Sequence, residues 1–207
     1  MQNLFFVRHG QTEWNAIRRM QGQWNSNLNE AGRGHADING QLLATLNIDA
    51  MYVSPLDRTR QTGEIINQYL NLTPVFDDRI MEWHCGDWSG EMYAEIPDKW
   101  PDEWQQMEQD RYNFRPPNGE NYPDMLERSK PFIDELMATP FKNIAIVSHG
   151  MIGKVMFSYL MGYDPYHVLS IHQHNDMVFK VSVSNDERNI SHFIAGKGPI
   201  SGLPIED

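Results

Sequence analysis

The sequence predicts an α/β fold, a three-layer αβα sandwich whose central sheet is mostly parallel with one antiparallel edge strand. Short apolar runs alternate with segments of helical periodicity, a pattern typical of parallel strands covered by helices on both faces. The last two apolar runs are instead joined by residues 184–188, a short polar segment with Asn185 and Asp186 that favours a hairpin. We expect one domain over residues 1–207, since that length suffices for a hydrophobic core.

The predicted elements follow one another along the chain with few interruptions. Six short apolar runs are predicted as strands, at residues 4–7, 50–54, 73–76, 143–148, 178–183 and 190–194. Four segments with helical patterns are predicted as helices, at residues 30–46, 58–70, 121–137 and 151–161. Residues 196–207 contain three glycines and two prolines without periodicity, so we expect an irregular tail there.

Residues 83–123 interrupt the alternation of strands and helices. This segment holds four tryptophans and five prolines, and one further helix is predicted at residues 102–112. We interpret the segment as an insertion that lies over the strand ends near the active site, where it would shape substrate access. The alternative interpretation is that these residues form an ordinary surface loop.

Composition and charge disfavour several classes of function. The chain has 17 basic and 28 acidic residues, and its net charge of −11 opposes broad binding to nucleic acid or anionic membranes. The single cysteine, Cys85, excludes an internal disulfide and fits a reducing compartment. No apolar stretch approaches the length of a membrane span, and residues 1–7 lack the features of a signal peptide. We therefore expect a cytoplasmic protein, whose oligomeric state stays open with a homodimer among the alternatives.

The first predicted strand ends in the triplet Arg8-His9-Gly10, the most informative feature of the sequence. Open α/β sheets bind ligands at the carboxyl ends of their strands, where this triplet falls. The guanidinium of arginine is a permanent cation with a fork of donors suited to phosphate. Histidine can act as a nucleophile through a ring nitrogen, and glycine lets the backbone approach a ligand. The triplet therefore suggests a site that forms a phosphohistidine.

A similar order of strand end, loop and helix start recurs after the second predicted strand. Arg58 and Arg60 lie in the first turn of the following helix, where the helix dipole favours acidic residues. An anion bound at the helix N-terminus would offset the unfavourable interaction between these arginines and the helix dipole. A solvated pair of surface arginines is the alternative interpretation.

A third site follows the strand at residues 143–148, where His149-Gly150 opens a helix. A lone histidine in that place is more often structural. Two histidines at strand ends, each followed by glycine, favour a functional role over a structural one, because a parallel sheet brings its strand ends to one edge. Arg8, His9, Arg58 and His149 are thus expected to converge on one anion the size of a phosphate.

With these motifs in place, the sequence resembles the histidine phosphatase superfamily, also called the phosphoglycerate mutase-like family, over nearly its whole length. The matching motifs are Val-Arg-His-Gly-Gln-Thr-Glu-Trp-Asn at residues 7–15, Gln-Gly at 21–22 with Leu28 and Gly32, Ser-Pro-Leu-x-Arg-x-x-Gln-Thr at 54–62, Glu82 with Gly-Asp-Trp-Ser-Gly at 86–90, Gly-Glu-Asn at 119–121, and Val-Ser-His-Gly at 147–150. The second of these departs most from the family pattern, at Asn25, Ser26, Asn27 and Asn29.

The resemblance implies a role for each matching residue. His9 is implied as the nucleophile, and Glu82 as the proton donor to the leaving oxygen and then the base that activates water. The implied substrate-binding residues are Arg8, Asn15, Gln21, Gly22, Arg58, His149 and Gly150, of which Arg8, Arg58 and His149 also stabilise the reacting phosphoryl group. Other acids near Glu82, namely Asp77, Asp78 and Asp87, are alternatives for its role. No metal or cofactor is expected: His172 and His174 are a possible metal pair, but spacing offers no third ligand.

Three functions fit these residues, and the fold alone does not choose among them. The preferred one is a phosphomonoester hydrolase acting on a small phosphorylated metabolite. A phosphoglycerate mutase would need further cations and typically has Arg-His-Tyr-Gly after the catalytic acid, whereas Trp-His-Cys-Gly follows Glu82 here. A non-catalytic phospho-ligand binding or regulatory module would be marked by loss of His9, Arg58 or His149, and all three are present.

Overall fold

A computed structural model of the protein describes residues 1–184 and 187–204. It contains a seven-stranded sheet formed by β1 (Gln2–Arg8), β2 (Ala50–Val53), β3 (Val75–Phe76), β4 (Asn143–Ser148), β5 (Met177–Val183), β6 (Arg188–Ile194) and β7 (Lys197–Ser201). The strands lie in the order β3-β2-β4-β1-β5-β6-β7. The first four of that order pair in parallel, and β5, β6 and β7 are added through antiparallel pairing.

Helices cover both faces of the sheet. They are α1 (Glu13–Ala16), α2 (Glu30–Ala44), α3 (Asp57–Leu70), α4 (Ile96–Lys99), α5 (Pro101–Gln109), α6 (Tyr122–Met137) and α7 (Gly150–Met161), with 3₁₀ turns at Asp78–Ile80, Gly86–Trp88 and Pro165–Ser170. Helix α2 packs with α3, and α6 packs with α7. No helix within residues 1–184 and 187–204 has the length and apolar character needed to cross a membrane.

The central strands β1 and β4 each contain a continuous apolar run whose side chains are buried on both faces of the sheet. Along β1, Leu4 and Phe6 belong to one hydrophobic cluster, and Phe5 and Val7 belong to the other. Successive side chains of a strand point to opposite faces, so a continuous apolar run is what a sheet covered on both sides requires. The three-layer αβα fold class predicted from the sequence is thus confirmed.

The antiparallel half of the sheet is larger than one edge strand. The predicted hairpin is confirmed by the pairing of β5 with β6, although Asn185 and Asp186 of its turn lie outside the described residues. The prediction of an irregular tail is wrong for β7, which pairs with β6 after a tight turn where Ala195 and Gly196 have positive φ. All five residues of β7 are exposed, so this strand is held by backbone hydrogen bonds and leaves no apolar pattern in the sequence.

The segment between Glu82 and α6 is organised around buried tryptophan. Trp88 is fully buried, stacks on Phe114 with ring centroids 5.2 Å apart, and also contacts Trp83 and Trp104. The helix predicted at residues 102–112 is α5, which ends at Gln109. The density of tryptophan in this stretch is therefore explained by packing, since the rings extend the core that α6 and α7 form against the sheet.

Candidate active site

Three adjacent strands place the predicted cationic residues at one edge of the sheet. Arg8 ends β1, His149 directly follows β4, and Arg58 lies in the first turn of α3 after β2. Since β4 lies between β1 and β2, their carboxyl ends meet around a cavity of about 400 Å³. The predicted site residues that line this cavity are Arg8, His9, Asn15, Gln21, Gly22, Arg58, Glu82 and Gly150. His149 is fully buried beside it, with its ring centroid 5.2 Å from that of His9.

The imidazole of His9 is held in one tautomer. Its Nδ1 lies 2.7 Å from the carbonyl oxygen of Gly10, which can only accept, so Nδ1–H is the donor. Its Nε2 lies 3.2 Å from Nε of Arg58, which can only donate, so Nε2 presents a lone pair. Burial, followed by the positive charges of Arg58 and Arg8, lowers the pKa of His9 well below its ordinary value. Nε2 is therefore an unprotonated nitrogen at neutral pH.

Arg58 is a buried cation that fixes the loop opposite its helix. Its Nη2 donates to the carbonyl of Gly22 at 2.6 Å and its Nη1 to the carbonyl of Trp24 at 2.8 Å. Burial lowers the pKa of Arg58 to about 10, so it remains charged at neutral pH. By contrast, Arg60 does not line the cavity; its Nε donates to the carbonyl of Pro55 at 2.7 Å and its guanidinium lies over the ring of Phe76.

Arg8 directly precedes His9 at the end of β1. Its Nη1 donates to the carbonyl of Gln173 at 2.5 Å, and its buried Nε has no hydrogen-bond partner within the described residues. A side chain at position 150 would place Cβ 3.3 Å from Nε of Arg8. Gly150 therefore leaves open the space beside the guanidinium of Arg8.

His149 has one free ring nitrogen beside His9. Its Nε2 lies 2.8 Å from Oγ of Ser54, whereas its buried Nδ1 is without a partner in the part of the chain described here. Burial and the charge of Arg58 lower the pKa of His149 well below its ordinary value. When the Ser54 hydroxyl donates to Nε2, the ring proton lies on Nδ1, where it forms a neutral donor suited to an anion's oxygen.

Glu82 caps the helix that begins after His149. Its Oε1 accepts from the backbone N–H groups of Trp83 (2.9 Å) and Ile152 (3.1 Å), and its Oε2 accepts from that of Met151 (3.2 Å). These last two donors belong to the N-terminal turn of α7, which lacks a side-chain cap of its own. The carboxylate is thus fixed to the same helix that carries Gly150.

The other acids considered for this role lie elsewhere. Asp77 forms a salt bridge with Arg79 at 2.7 Å, and Asp87 accepts from Asn118 at 3.1 Å. Neither these residues nor Asp78 line the cavity. Among residues 1–184 and 187–204, Glu82 is the single carboxylate in the cavity wall.

A short helix and the loop after it form the other wall. Asn15, in α1, accepts at Oδ1 from the backbone N–H of Thr12 at 3.1 Å, and Oε1 of Gln21 lies 3.0 Å from the Thr12 hydroxyl. Gly22 has a φ of +51°, and a Cβ there would lie 2.7 Å from Sγ of Cys85. Glycine is required at that position both by the backbone conformation and by the space available.

Sequence reasoning missed part of the cavity wall. The further cationic or polar residues in it are Arg18, Arg19, Tyr93, Arg111, Lys154, His172 and Gln173. Lys154 carried a usable signal, because it is the one charged residue in the apolar helix α7. Within the described ranges, no group of three His, Cys, Asp or Glu residues is placed to hold a metal ion.

Comparison with known proteins identifies the family. A model of the histidine phosphatase superfamily (branch 1) matches residues 4–195. The chain belongs to the histidine phosphatase superfamily. Among similar members, phosphoserine phosphatase 1 of Hydrogenobacter thermophilus is 28% identical over 89% of this chain and 93% of its own. A probable phosphoglycerate mutase of Erwinia tasmaniensis is 35% identical over 78% of this chain and 76% of its own.

A solved histidine phosphatase structure also matches the fold. The mycobacterial glucosyl-3-phosphoglycerate phosphatase, solved in complex with VO₃, superposes with a TM-score of 0.83 at 26% identity, covering 94% of this chain and 98% of the other. The family resemblance predicted from the strand-end motifs is therefore confirmed by both sequence and structure. Relatives with phosphatase names and with a mutase name both occur. Membership of the family therefore does not determine the reaction, which must be inferred from the site.

Proposed function

We propose that this histidine phosphatase hydrolyses phosphomonoesters of small metabolites through a phosphohistidine at His9. The observation that carries the proposal is the state of Nε2 of His9, an unprotonated nitrogen that faces Arg58 inside a cationic cavity. Phosphoryl transfer depends mainly on positioning and on stabilisation of charge on the phosphoryl oxygens. We expect the side chains of Arg8, Arg58 and His149 to position the phosphoryl group and to stabilise the charge on its oxygens.

The reaction has two balanced steps. In the first, Nε2 of His9 forms a bond to phosphorus while the ester P–O bond breaks, and the leaving oxygen takes a proton from Glu82. In the second, the Glu82 carboxylate takes a proton from water, the water oxygen bonds to phosphorus, and the P–N bond to His9 breaks. The products are the free alcohol and inorganic phosphate, and both His9 and Glu82 return to their starting states.

The size and charge of the site support a small substrate. A cavity of about 400 Å³ is in the range of small-molecule sites, and Trp83 and Arg111 from residues 83–123 contribute to its wall. The net charge of −11 opposes nucleic acid as a partner, and we propose a cytoplasmic metabolite as substrate. Relatives named for phosphoserine and glucosyl-3-phosphoglycerate are consistent with that class.

Hydrolysis of an aryl phosphate tests the proposed function directly. The wild type is expected to release inorganic phosphate from p-nitrophenyl phosphate with multiple turnovers, because water is the acceptor of the phosphoryl group. The mutase alternative is kept open by the 35% identical relative and by the further cations in the cavity wall, Arg18, Arg19, Arg111 and Lys154. It predicts instead that 3-phosphoglycerate is converted to its isomer without stoichiometric phosphate release. Isomerisation with negligible phosphate release would contradict the phosphatase proposal, and binding without turnover of either substrate would favour a binding module.

The role of Glu82 predicts a dependence on the leaving group. We expect Glu82→Gln to lose about 10²-fold or more in the phosphorylation step with alkyl phosphates, whose alkoxide must be protonated as it leaves. The loss with p-nitrophenyl phosphate should be much smaller, because nitrophenolate leaves readily without a proton. Single-turnover rates for both substrates provide the measurement. Asp87→Asn, an equivalent change at an exposed acid outside the cavity, serves as the matched control. Equal losses for both leaving groups would remove Glu82 as the proton donor.

A further inference from the structure

The reactive histidine is held through its backbone as well as through its ring. The N–H of His9 donates to the carbonyl of Ser148 in β4 at 3.0 Å, and the carbonyl of His9 accepts from Nδ2 of Asn175 at 2.7 Å. The next N–H along the chain, that of Gly10, donates to Oγ1 of Thr62 at 3.1 Å. Three separate parts of the chain therefore bond to successive backbone groups at the nucleophile.

Asn175 and Thr62 hold the two ends of one peptide group. The carbonyl of His9 and the N–H of Gly10 belong to the same planar peptide, so a hydrogen bond at each of them fixes the orientation of that plane. The peptide lies beyond Arg8, the last residue of β1, and the strand pairing of the sheet ends there. The two side chains therefore fix the backbone at the point where the sheet no longer does.

The orientation of this peptide affects the ring through the carbonyl of Gly10. Nδ1–H of His9 donates to that carbonyl at 2.7 Å, and the hydrogen bond at one ring nitrogen determines which nitrogen carries the proton. Glycine is required at position 10, because a Cβ there would collide with the carbonyl oxygen of Gly32. Since glycine has wide backbone freedom, the direction of its carbonyl depends on how firmly the preceding peptide is held.

Thr62 links this peptide to the arginine that faces His9. It is fully buried in α3, and its hydroxyl donates to the carbonyl of Arg58 at 2.7 Å. A hydroxyl has one proton and two lone pairs, so donation to Arg58 leaves a lone pair for the N–H of Gly10. Residues four apart lie on the same face of a helix, and one face of α3 thus carries both the guanidinium at Nε2 and the hydroxyl at the peptide.

Asn175 is held in place by the residue two positions before it. Gln173 is buried, its Nε2 donates to the carbonyl of Phe6 at 3.1 Å, and its own carbonyl accepts from Nη1 of Arg8. Residues 173–175 therefore lie beside the end of β1 and lead into β5, which pairs with that strand. This anchorage brings the amide of Asn175 to the carbonyl of His9.

We propose that Asn175 and Thr62 are positioning residues, which fix the peptide between His9 and Gly10 and so hold the ring of His9 with Nδ1 protonated and Nε2 free to attack. This inference rests on the proposed phosphatase function, in which Nε2 is the nucleophile. Neither residue lines the cavity. Their loss is therefore expected to slow phosphorylation of His9 and to change substrate binding little.

The variant Asn175→Ala removes the bond to the carbonyl of His9. We expect its saturating single-turnover rate with p-nitrophenyl phosphate to fall about 10- to 100-fold, because a small displacement of a nucleophile is costly. The half-saturating concentration should change less than about 3-fold. Asn67→Ala is the matched control, since Asn67 is also half-buried and its Nδ2 donates to a backbone carbonyl, that of Leu72, at 2.8 Å. A rate for Asn175→Ala close to that of Asn67→Ala would overturn the proposal.

Two variants of Thr62 separate positioning from stability. Thr62→Val removes the hydroxyl at nearly constant volume and should lower the rate about 10-fold or more. Thr62→Ser keeps the hydroxyl and should recover most of the rate, although its missing methyl group also lowers the thermal stability. A rate that followed the melting temperature of these variants, rather than the presence of the hydroxyl, would show that Thr62 is merely structural.

The tautomer of His9 can be measured without turnover. In protein labelled with ¹⁵N-histidine, NMR distinguishes protonated from unprotonated ring nitrogens, and the His9 signals are assigned by their loss in His9→Ala. We expect Nδ1 protonated and Nε2 unprotonated in the wild type and in Asn67→Ala at neutral pH, and a mixture of tautomers in Asn175→Ala and Thr62→Val. Unchanged His9 signals in both variants would refute the positioning role. A wild type inactive on p-nitrophenyl phosphate would refute the phosphatase function alone, because this measurement needs no activity.

Discussion

His9→Ala is expected to lose on the order of 10⁴-fold or more in kcat, because the variant lacks the nitrogen that forms the covalent intermediate. The lost nitrogen is the Nε2 that carries a lone pair facing Arg58. Rapid alkaline quench of the wild type with ³²P-labelled substrate, followed by electrophoresis at alkaline pH, should reveal an adduct that is stable to base and is lost on treatment with acid. The adduct should be missing in His9→Ala, and circular dichroism checks that the variant is folded.

His192→Ala provides a matched control for the labelling experiment. That histidine is also buried, but it lies in β6 with Nδ1 bonded to the carbonyl of Gly202 and does not line the cavity. Its variant should retain the phosphoryl adduct. Undiminished turnover in His9→Ala would contradict the proposed mechanism, and complete loss of wild-type activity in a metal chelator would contradict a mechanism carried by protein side chains alone.

The pH dependence of adduct formation follows from the same histidine. Burial and the neighbouring arginines hold the pKa of His9 well below its ordinary value, so Nε2 stays unprotonated into the acidic range. The protonated, inactive form would therefore appear only below the pH at which a free histidine titrates. The acidic limb of the phosphorylation rate is accordingly expected below about pH 6.5. A limb centred at that pH or above it would indicate an unperturbed His9.

Arg58→Ala is expected to lower kcat about 10²- to 10³-fold, with a smaller rise in KM. The guanidinium directly contacts Nε2 of His9 and lies where charge develops on the transferred phosphoryl group. Because Arg58 also holds the carbonyls of Gly22 and Trp24, its removal loosens that loop, and thermal unfolding measures this separate cost.

Arg60→Ala is the matched control for Arg58→Ala. Both arginines lie in the first turn of α3, but Arg60 packs over Phe76 and is not part of the cavity wall. It should keep near-wild-type kinetics. A rate for Arg58→Ala that is close to that of Arg60→Ala would show that the strand ends do not converge on the reacting group. Arg58→Lys restores the charge without the fork of donors and should recover part of the rate.

The arginine pair also shows how far the sequence could predict the site. Strand-end position predicted that Arg8, His9 and His149 lie at one edge of the sheet together with the start of α3, because parallel strands must bring their carboxyl ends together. Sequence position did not separate Arg58 from Arg60, since both oppose the same helix dipole. Residues two apart on a helix point about 200° apart, so the direction of each side chain depends on where the helix packs.

Other features left weak local signals for physical reasons. Strand β7 is exposed along its whole length and is specified by backbone pairing with β6, which no side-chain pattern records. Strand β3 has two residues, both exposed, so the predicted strand at 73–76 was too long. Lys154 is recognisable in the sequence as the one charged residue of α7, but the cavity that it faces depends on how that helix packs against the sheet.

The pairing of β1 has a consequence for how the enzyme acquires its activity. The strand that leads to His9 is separated along the chain from both of its partners, β4 and β5, where Leu4 pairs with Ile144 and with Val181. An apolar strand emerging from the ribosome must therefore remain unpaired until β4 and β5 have been translated, and pairing between such distant segments slows folding. Catalytic competence is consequently expected only after β5 has been translated.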